Sequence, residues 1–419
     1  MKLLINLCAH DGIISHYAGV GTIVRRYIEV IRDLLETKKI DYHLNLFTLE
    51  FNQDSMGYNE ELFKYHKSLK NTSLYILSNG TNGETSFGNV ENYRLASKNT
   101  ANVINKIDFS NYDYVITLCN DTPYAGLLSM IKEEKNSIKA WIPHSTAKIY
   151  NEDMSLSLEQ QLHNERIDWE QAAIDYINST ENNYLISTGI YIRNHLLNEY
   201  NLKEEKNIDV INGEILSREN TYDENIRMKE ILDDLNQYDS LVLSLGRAEK
   251  YKNLDKTMLL GKEMNVKAVV ITRQYYEGQP IISSYKDLAS KTDSILYVDE
   301  PFFLPQYIVK HYTKPLIMLI PSFREIFGLV INEMRRFNKD NVLIVANDGG
   351  GLHEQINDGI DGVLVDLDNI KESAKKIKKY FNEDSMKNIN KNGQLRLRKD
   401  YDLLKNFNMF LKKVIDEYE

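Results

Sequence analysis

The chain is short of several things, and each shortage excludes something. Among 419 residues there are two cysteines, Cys8 and Cys119. That excludes a disulfide-stapled scaffold and a thiolate-rich metal site. Both lie in or beside apolar strand patterns, so they read as reduced, buried thiols, and a cytoplasmic location is the expectation. No apolar run approaches the roughly 20 residues that a bilayer-crossing helix needs. The opening MKLLINL is cut short by His10 and Asp11 and reads as a first strand rather than a signal segment. Positive charge is in deficit, with 51 Lys and Arg against 61 Asp and Glu and a net −10. This balance argues against nucleic acid as the main partner and against broad docking on an anionic membrane; peripheral membrane contact stays open. Internal repeats, low-complexity tracts and heptads are also missing.

What is present is globular: 42% hydrophobic and 27% charged residues. The length exceeds one ordinary core and predicts two domains of about 200 residues each. Strand–loop–helix alternation runs through both halves, the pattern of doubly wound α/β sheets. In the first half, strands are expected at Lys2–Leu7, Tyr42–Leu49, Ser73–Leu77, Tyr114–Leu118, Lys139–Pro143 and Asn183–Ser187. Helices are expected over Gly21–Glu36 and around Leu162–Tyr176. Residues 50–110, rich in Asn, Tyr and Ser, read as loops and short elements. A second cycle is expected from Asn207, with strands at Ile208–Ile211, Ser240–Leu245, Lys267–Thr272, Ser294–Val298, Leu316–Ile320, Val342–Ala346 and Val363–Val365. The expected domains are 1–206 and 207–398, with a last helix in 399–419.

The stretch Pro321–Asp366 carries the most chemistry. Glu325 falls in a turn after the apolar LIMLI strand, and Glu333 follows two helical turns on. Between them Gly328 lets backbone approach a ligand. A helix starting near Phe327 or Gly328 would aim its unpaired N–H groups at whatever sits beside Glu325. An anion site flanked by two carboxylates suits a sugar nucleotide, whose diphosphate needs donors and whose sugars need acceptors. Two Glu at this spacing alone would be a solvated face; the Pro-Ser, Phe-Gly-Leu and Gly-Gly context is what lifts them above it.

Pro321, Ser322, Glu325, Phe327, Gly328, Leu329 and Glu333 match P-S-x-x-E-x-F-G-L-x-x-x-E. In this the chain resembles retaining glycosyltransferase family 4, the large group of GT-B enzymes that use nucleotide sugars. Gly350, Gly351, Glu354, Asp358, Gly359 and Gly362 extend the resemblance. Arg335-Arg336-Phe337-Asn338-Lys339-Asp340 departs from it, being bulkier and more charged than the family's segment. Ile211 stands where relatives commonly have the proline of Pro-Asn-Gly. The resemblance implies two Rossmann-like domains facing a cleft, with the donor mainly on the second and the acceptor on the first. It also implies a last helix that returns to the first domain, and front-face substitution without a carboxylate nucleophile.

A second motif, LSLGRAEKYKNLD, ends a strand at Gly246 and follows it with Arg247 and Lys252. The resemblance assigns both to the donor diphosphate. Elementary electrostatics agrees, because fixed cations stabilise the charge that grows on a leaving diphosphate. Arg offers a planar fork for phosphate oxygens and Lys a mobile point charge. In the first loop, Gly19 and Gly21 offer bare backbone beside a first helix. A dinucleotide fingerprint would need a third Gly where Val24 stands, so nicotinamide and flavin cofactors are not expected.

His144, after the strand at 139–143, lies where relatives keep a His facing the donor sugar; Asn120, Asp121 and Arg166 are further candidates on the acceptor side. The segment from Val298 to Leu304 resembles the loop that reads the base edge, and nothing in it separates uracil from guanine or adenine. UDP-sugar is the favoured donor. Glu333 is assigned to the ribose diol and Glu325 to the sugar hydroxyls, since a carboxylate only accepts. No residues have metal-ligand spacing, Asp366 and Asp368 reading as a solvated turn, so a metal-independent reaction is expected. The expected partners are a nucleotide-sugar donor and a hydroxyl acceptor: glycan, lipid-linked sugar, protein or small molecule. Two rivals remain at this stage, a catalytically silent GT-B partner subunit and a sugar-nucleotide epimerase of the same shape.

Overall fold

The computed structural model describes residues 1–55, 57–151, 158–218, 224–274, 276–337 and 339–415. The chain divides into two compact units, Met1–Ile215 with Leu403–Glu419, and Leu216–Asp402.

The first unit holds a seven-stranded sheet in the order β3-β2-β1-β4-β5-β6-β7. Its strands are β1 (Lys2–Cys8), β2 (Asp41–Leu49), β3 (Thr72–Leu77), β4 (Tyr114–Asn120), β5 (Ser137–Ile142), β6 (Asn183–Ser187) and β7 (Asn207–Asp209). All its pairings are parallel. Parallel sheets are covered on both faces, and the inner strands β1, β4 and β5 are accordingly buried along almost their whole length. Chain order reverses between β1 and β4. That reversal opens a crevice at the carboxyl ends of these two strands, where ligands of open α/β sheets bind.

Two expectations need correcting. The strand near Asn207 does not open the second sheet. It pairs with β6, Leu185 against Asn207 and Ser187 against Asp209, and closes the first. The Asn212-Gly213 turn stays with the first unit too, held by the helix Gly19–Thr37. Tyr27 Oη donates to Asn212 Oδ1 at 3.0 Å, and Arg26 donates to the Gly213 carbonyl at 3.0 Å. The region 50–110 also contains more structure than its composition suggests. A fifteen-residue helix, Val90–Ile104, begins at a reciprocal capping box between Asn89 and Asn92. It buries Val90, Tyr93, Ala96, Ser97, Thr100, Ala101 and Ile104, a helical spacing diluted in sequence by the polar residues between them.

The second unit has a six-stranded parallel sheet, order β10-β9-β8-β11-β12-β13. Here β8 is Leu241–Arg247, β9 Lys267–Arg273, β10 Ile295–Val298, β11 Leu316–Ile320, β12 Val342–Asn347 and β13 Val363–Val365. Its chain order reverses between β8 and β11. One face packs Ile308, Met318, Ile331 and Met334, the other Val242, Leu260, Leu319 and Ile377. The charged Arg335, conspicuous in sequence, is fully inside this unit. It donates to Asp361 Oδ1 at 2.9 Å and to the carbonyls of Gln355 and Asp361. Gly393 leaves room for it, since a Cβ there would lie 3.2 Å from Arg335 Nε.

The helix Leu403–Val414 belongs to the first unit. Phe407 sits 5.7 Å from the Tyr27 ring and 5.4 Å from Phe410. Asn406 donates to the Ile211 carbonyl at 2.9 Å. Phe407→Ala should cost the first unit about 3–5 kcal/mol, the usual range for a buried aromatic. Both tryptophans, Trp141 and Trp169, are in that unit, so urea unfolding followed by their fluorescence reads it directly. A midpoint that does not fall would contradict this docking.

Candidate functional site

In the second unit the two strongest sequence motifs meet at the reversal point. Arg247 ends β8, and a single 3-10 turn, Lys250–Lys252, follows it. Asn253 then takes a left-handed conformation, φ 50°, and starts the helix Leu254–Met264. On the neighbouring strand β11, the chain leaves Ile320 and runs as a loop to Gly328 before the helix Leu329–Phe337. Two contacts fasten these loops together. The Phe323 N–H donates to the Tyr251 carbonyl at 2.8 Å, and Lys252 Nζ forms an ion pair with Glu325 Oε1. Both side chains are mostly shielded, Lys252 16% and Glu325 20% exposed.

The glycine pair after β12 explains why Glu325 stays where it is. The Gly351 N–H donates to the Glu325 carbonyl at 2.6 Å. A Cβ at Gly350 would come within 2.5 Å of that carbonyl, and one at Gly351 within 2.0 Å of the Ile326 oxygen. Gly350 also has φ +54°, where a side chain is strained. Gly328, at φ +75°, turns the chain into its helix, and its carbonyl accepts from Gln355 Nε2 at 3.2 Å. Phe327 is buried and Leu329 half-buried. Glu333 is half-buried on the same helix.

Arg247 is 36% exposed; its Nη2 donates to the Tyr251 hydroxyl at 2.9 Å and lies 3.1 Å from Glu249 Oε2. A Cβ added at Gly246 would meet only ordinary contacts with Leu254 and Lys252, both at 3.5 Å. The protein's own packing therefore does not demand glycine there. Val298 ends β10 at the sheet edge, two strands from Arg247. Leu304 begins the helix Leu304–His311. Between them Asp299 holds Gln274, and the exposed Phe302 carries the Arg273 guanidinium 5.3 Å above its ring.

His144, Gly19 and Gly21 belong to the first unit. Gly19 is the exposed first residue of its helix. Gly21 has a reason within the protein: a Cβ there would lie 2.6 Å from Asp11 Oδ2. That carboxylate accepts from the N–H of Gly12 and of Ala18, each at 2.9 Å, and so closes the first loop.

His144 lies past β5, with Nε2 3.3 Å from Asn120 Oδ1. Burial pushes its imidazolium down to about 4, against the pull of Asp121. It is therefore neutral near pH 7 and able both to donate and to accept. Sequence reasoning did not find its neighbour His10, which lies two residues past β1 and meets Asp121, beyond β4, at 3.0 Å. Burial alone would raise the Asp121 carboxyl. The hydrogen bond and charge of His10, with His144 and Arg166 beyond, bring it instead to about 2. Asp121 has φ 65° and ψ 177°, a strained backbone of the kind that clusters at functional sites. Arg166 is buried and donates to Glu170 Oε1 at 2.7 Å and Thr122 Oγ1 at 2.9 Å. The partners are 111 residues apart for His10 and Asp121, and no local pattern announces such a pair.

Among the described residues there is no cluster of three His, Cys, Asp or Glu able to hold a metal. Asp366 accepts from the Asp368 N–H, and Asp368 accepts from Lys256.

Two outcomes follow. Gly351→Ala should displace the Glu325–Phe327 backbone, and amide exchange across 323–329 should quicken at least tenfold while the sheet amides stay protected. Unchanged exchange would show that the glycine pair does not hold the loop. His144 titrates below its unfolded value near 6.5, so its stability contribution is complete above that pH and is lost as pH falls from 6.5 towards 4. His195, also brought to about 4 by burial, adds to the same slope. Thermal melts from pH 7 to 4.5 should fall less steeply for His144→Gln, by about 2 kcal/mol at the acid end. Equal slopes would contradict the burial of a neutral ring.

Comparison with known proteins fits this geometry. Residues 231–396 match the model of the family described as glycosyl transferases group 1. No curated protein matches the sequence. Among solved structures, sucrose-phosphate synthase from Thermosynechococcus elongatus superposes with a TM-score of 0.73 at 14% identity, covering 99% of both chains. The trehalose-6-phosphate protein from E. coli bound with UDP-2-fluoro glucose gives 0.69 at 10% identity, covering 98% of both. Anabaena HepE in complex with UDP gives 0.67 at 12% identity, covering 99% of this chain and 100% of its own. The chain thus has the GT-B fold, and within its second unit residues 231–396 match the group 1 glycosyl transferase model.

Proposed function

We propose that the protein is a retaining glycosyltransferase that moves a sugar from a nucleoside-diphosphate sugar to a hydroxyl acceptor without a metal or cofactor. The observation that carries this reading is the fastening of the Arg247–Lys252 turn to the Glu325 loop at the reversal point of the second sheet. It gathers two cations, the carboxylates of Glu249 and Glu325 and a glycine-led helix start at the place where α/β sheets bind ligands. A UDP-sugar is the favoured donor, in line with the UDP and UDP-2-fluoro glucose held by two of the structural neighbours.

In this reading Arg247 and Lys252 hold the diphosphate and Glu333 takes the ribose diol. Glu325 accepts from the sugar hydroxyls, beside the N–H groups of Phe327, Gly328 and Leu329. The loop from Val298 to Leu304 faces the base. Lys252 and Glu325 neutralise one another in the free protein; a donor would bring each a new partner, phosphate for one and hydroxyl for the other. As the bond from the anomeric carbon to the phosphate oxygen breaks, its electron pair passes to the diphosphate. The acceptor oxygen bonds the same carbon on the same face, and its proton goes to the leaving phosphate. The two cations gain strength as that charge grows, which is how they lower the barrier. On the first unit, His144 with Gly19 and Gly21 would meet the sugar and acceptor, a hydroxyl of a glycan or glycoconjugate precursor. The two buried thiols are in keeping with a cytoplasmic setting.

Calorimetric titration with UDP, GDP, ADP and dTDP tests the assignment. One nucleotide should bind in the micromolar range. Arg247→Ala should weaken it about ten- to a hundredfold, the worth of about 1.5–3 kcal/mol for a charged hydrogen bond. Binding by none of the four would overturn the donor site and favour a silent partner subunit.

A further inference from the structure

The second unit has a charged groove at the end of its sheet opposite Arg247 and Glu325. The donor motif lies past the carboxyl ends of β8 and β11. Lys339 and Asp340 instead precede the amino end of β12. A groove of about 390 Å³ opens here, lined by Lys339, Asp340, Asn390, Lys391, Gln394 and Arg398, with Leu395 at its side. The two sites are separated by the length of the strands, roughly 15 Å at about 3.3 Å per residue.

The groove is built. Asn390 is buried and donates to the carbonyls of Lys339 and Val342, at 2.9 and 2.6 Å, and Gln394 donates to the Arg335 carbonyl. These bonds fix the helix Glu383–Asp400 against the turn that carries Lys339. Lys391 and Arg398 are seven positions apart, so they share one face of that helix, and both are exposed. On the same helix Arg396 is compensated, paired with Asp361 and Asp400. Among the described residues, none of Lys339, Lys391 and Arg398 is in an ion pair. Three positive charges around one cavity, with Asp340 as the lone acid, leave a local excess in a chain of net −10.

We propose that this groove binds the phosphate group of a second ligand, separate from the sugar-nucleotide donor. Arg398 supplies a planar fork for phosphate oxygens and two lysines supply point charges. Leu395, 55% exposed, offers a short apolar contact to whatever carries the phosphate. The chemistry suits a small phosphate ester or a phosphorylated lipid headgroup.

The test titrates inorganic phosphate into the full chain by calorimetry and, in parallel, sediments it with vesicles of phosphatidylglycerol in phosphatidylcholine. The double variant Lys391→Gln, Arg398→Gln and the donor-site variant Arg247→Ala are run beside the wild type. Phosphate binding that falls at least fivefold in the double variant but persists in Arg247→Ala supports the groove and a small ester. Vesicle binding with the same pattern, without free phosphate binding, supports the groove and a headgroup. If neither probe distinguishes the double variant from the wild type, the proposal is overturned. Nucleotide titration of the double variant should be unchanged, so failure here is separable from failure of the donor site.

Discussion

The second unit depends on the reversal of strand order between β8 and β11. Every parallel connection on one side of this point runs one way, and on the other side it runs back. The loops leaving these two strands therefore diverge and leave a crevice between them. Here it is bridged by a backbone hydrogen bond, Phe323 to Tyr251, and an ion pair, Lys252 to Glu325. A shielded ion pair is costly to break by removing one partner but contributes little net stability when intact. Its value is positional: it sets a carboxylate and an ammonium beside each other at the mouth of the crevice.

The same topology recurs in the first unit, where β1 and β4 flank the reversal. The chemistry placed there differs. The buried His10 and Asp121 and the half-buried His144 form a polar group with a strained Asp121 backbone, and the Asp11 carboxylate draws the first loop closed over Gly21. One unit thus gathers Arg247 and Lys252 beside the carboxylates of Glu249 and Glu325, the other a neutral imidazole and a compensated carboxylate.

Much of this was legible in sequence, for a definite reason. Strands of parallel sheets are buried on both faces, so LIMLI and VLIVA are unbroken apolar runs, and LVLSL is broken only by Ser244. The Glu325–Glu333 spacing and the Gly350-Gly351 pair were also visible, though not why the glycines are needed. Only the structure shows them packed on the backbone of Glu325 and Ile326. What escaped was non-local or diluted. Helix Val90–Ile104 hides its apolar face among Asn, Ser and Thr. The strand at Asn207 was placed in the wrong sheet because three residues do not declare their partner. Arg335 stands out in sequence only as part of a bulkier, more charged segment; its burial is not visible there, since its compensating Asp361 lies 26 positions away.

The most direct measurement is a crystal structure of the chain with UDP bound. The account predicts the diphosphate within hydrogen-bond reach of Arg247 and Lys252, with the Lys252–Glu325 pair opened and the ribose on Glu333. A diphosphate seated elsewhere, with that ion pair intact, would contradict it.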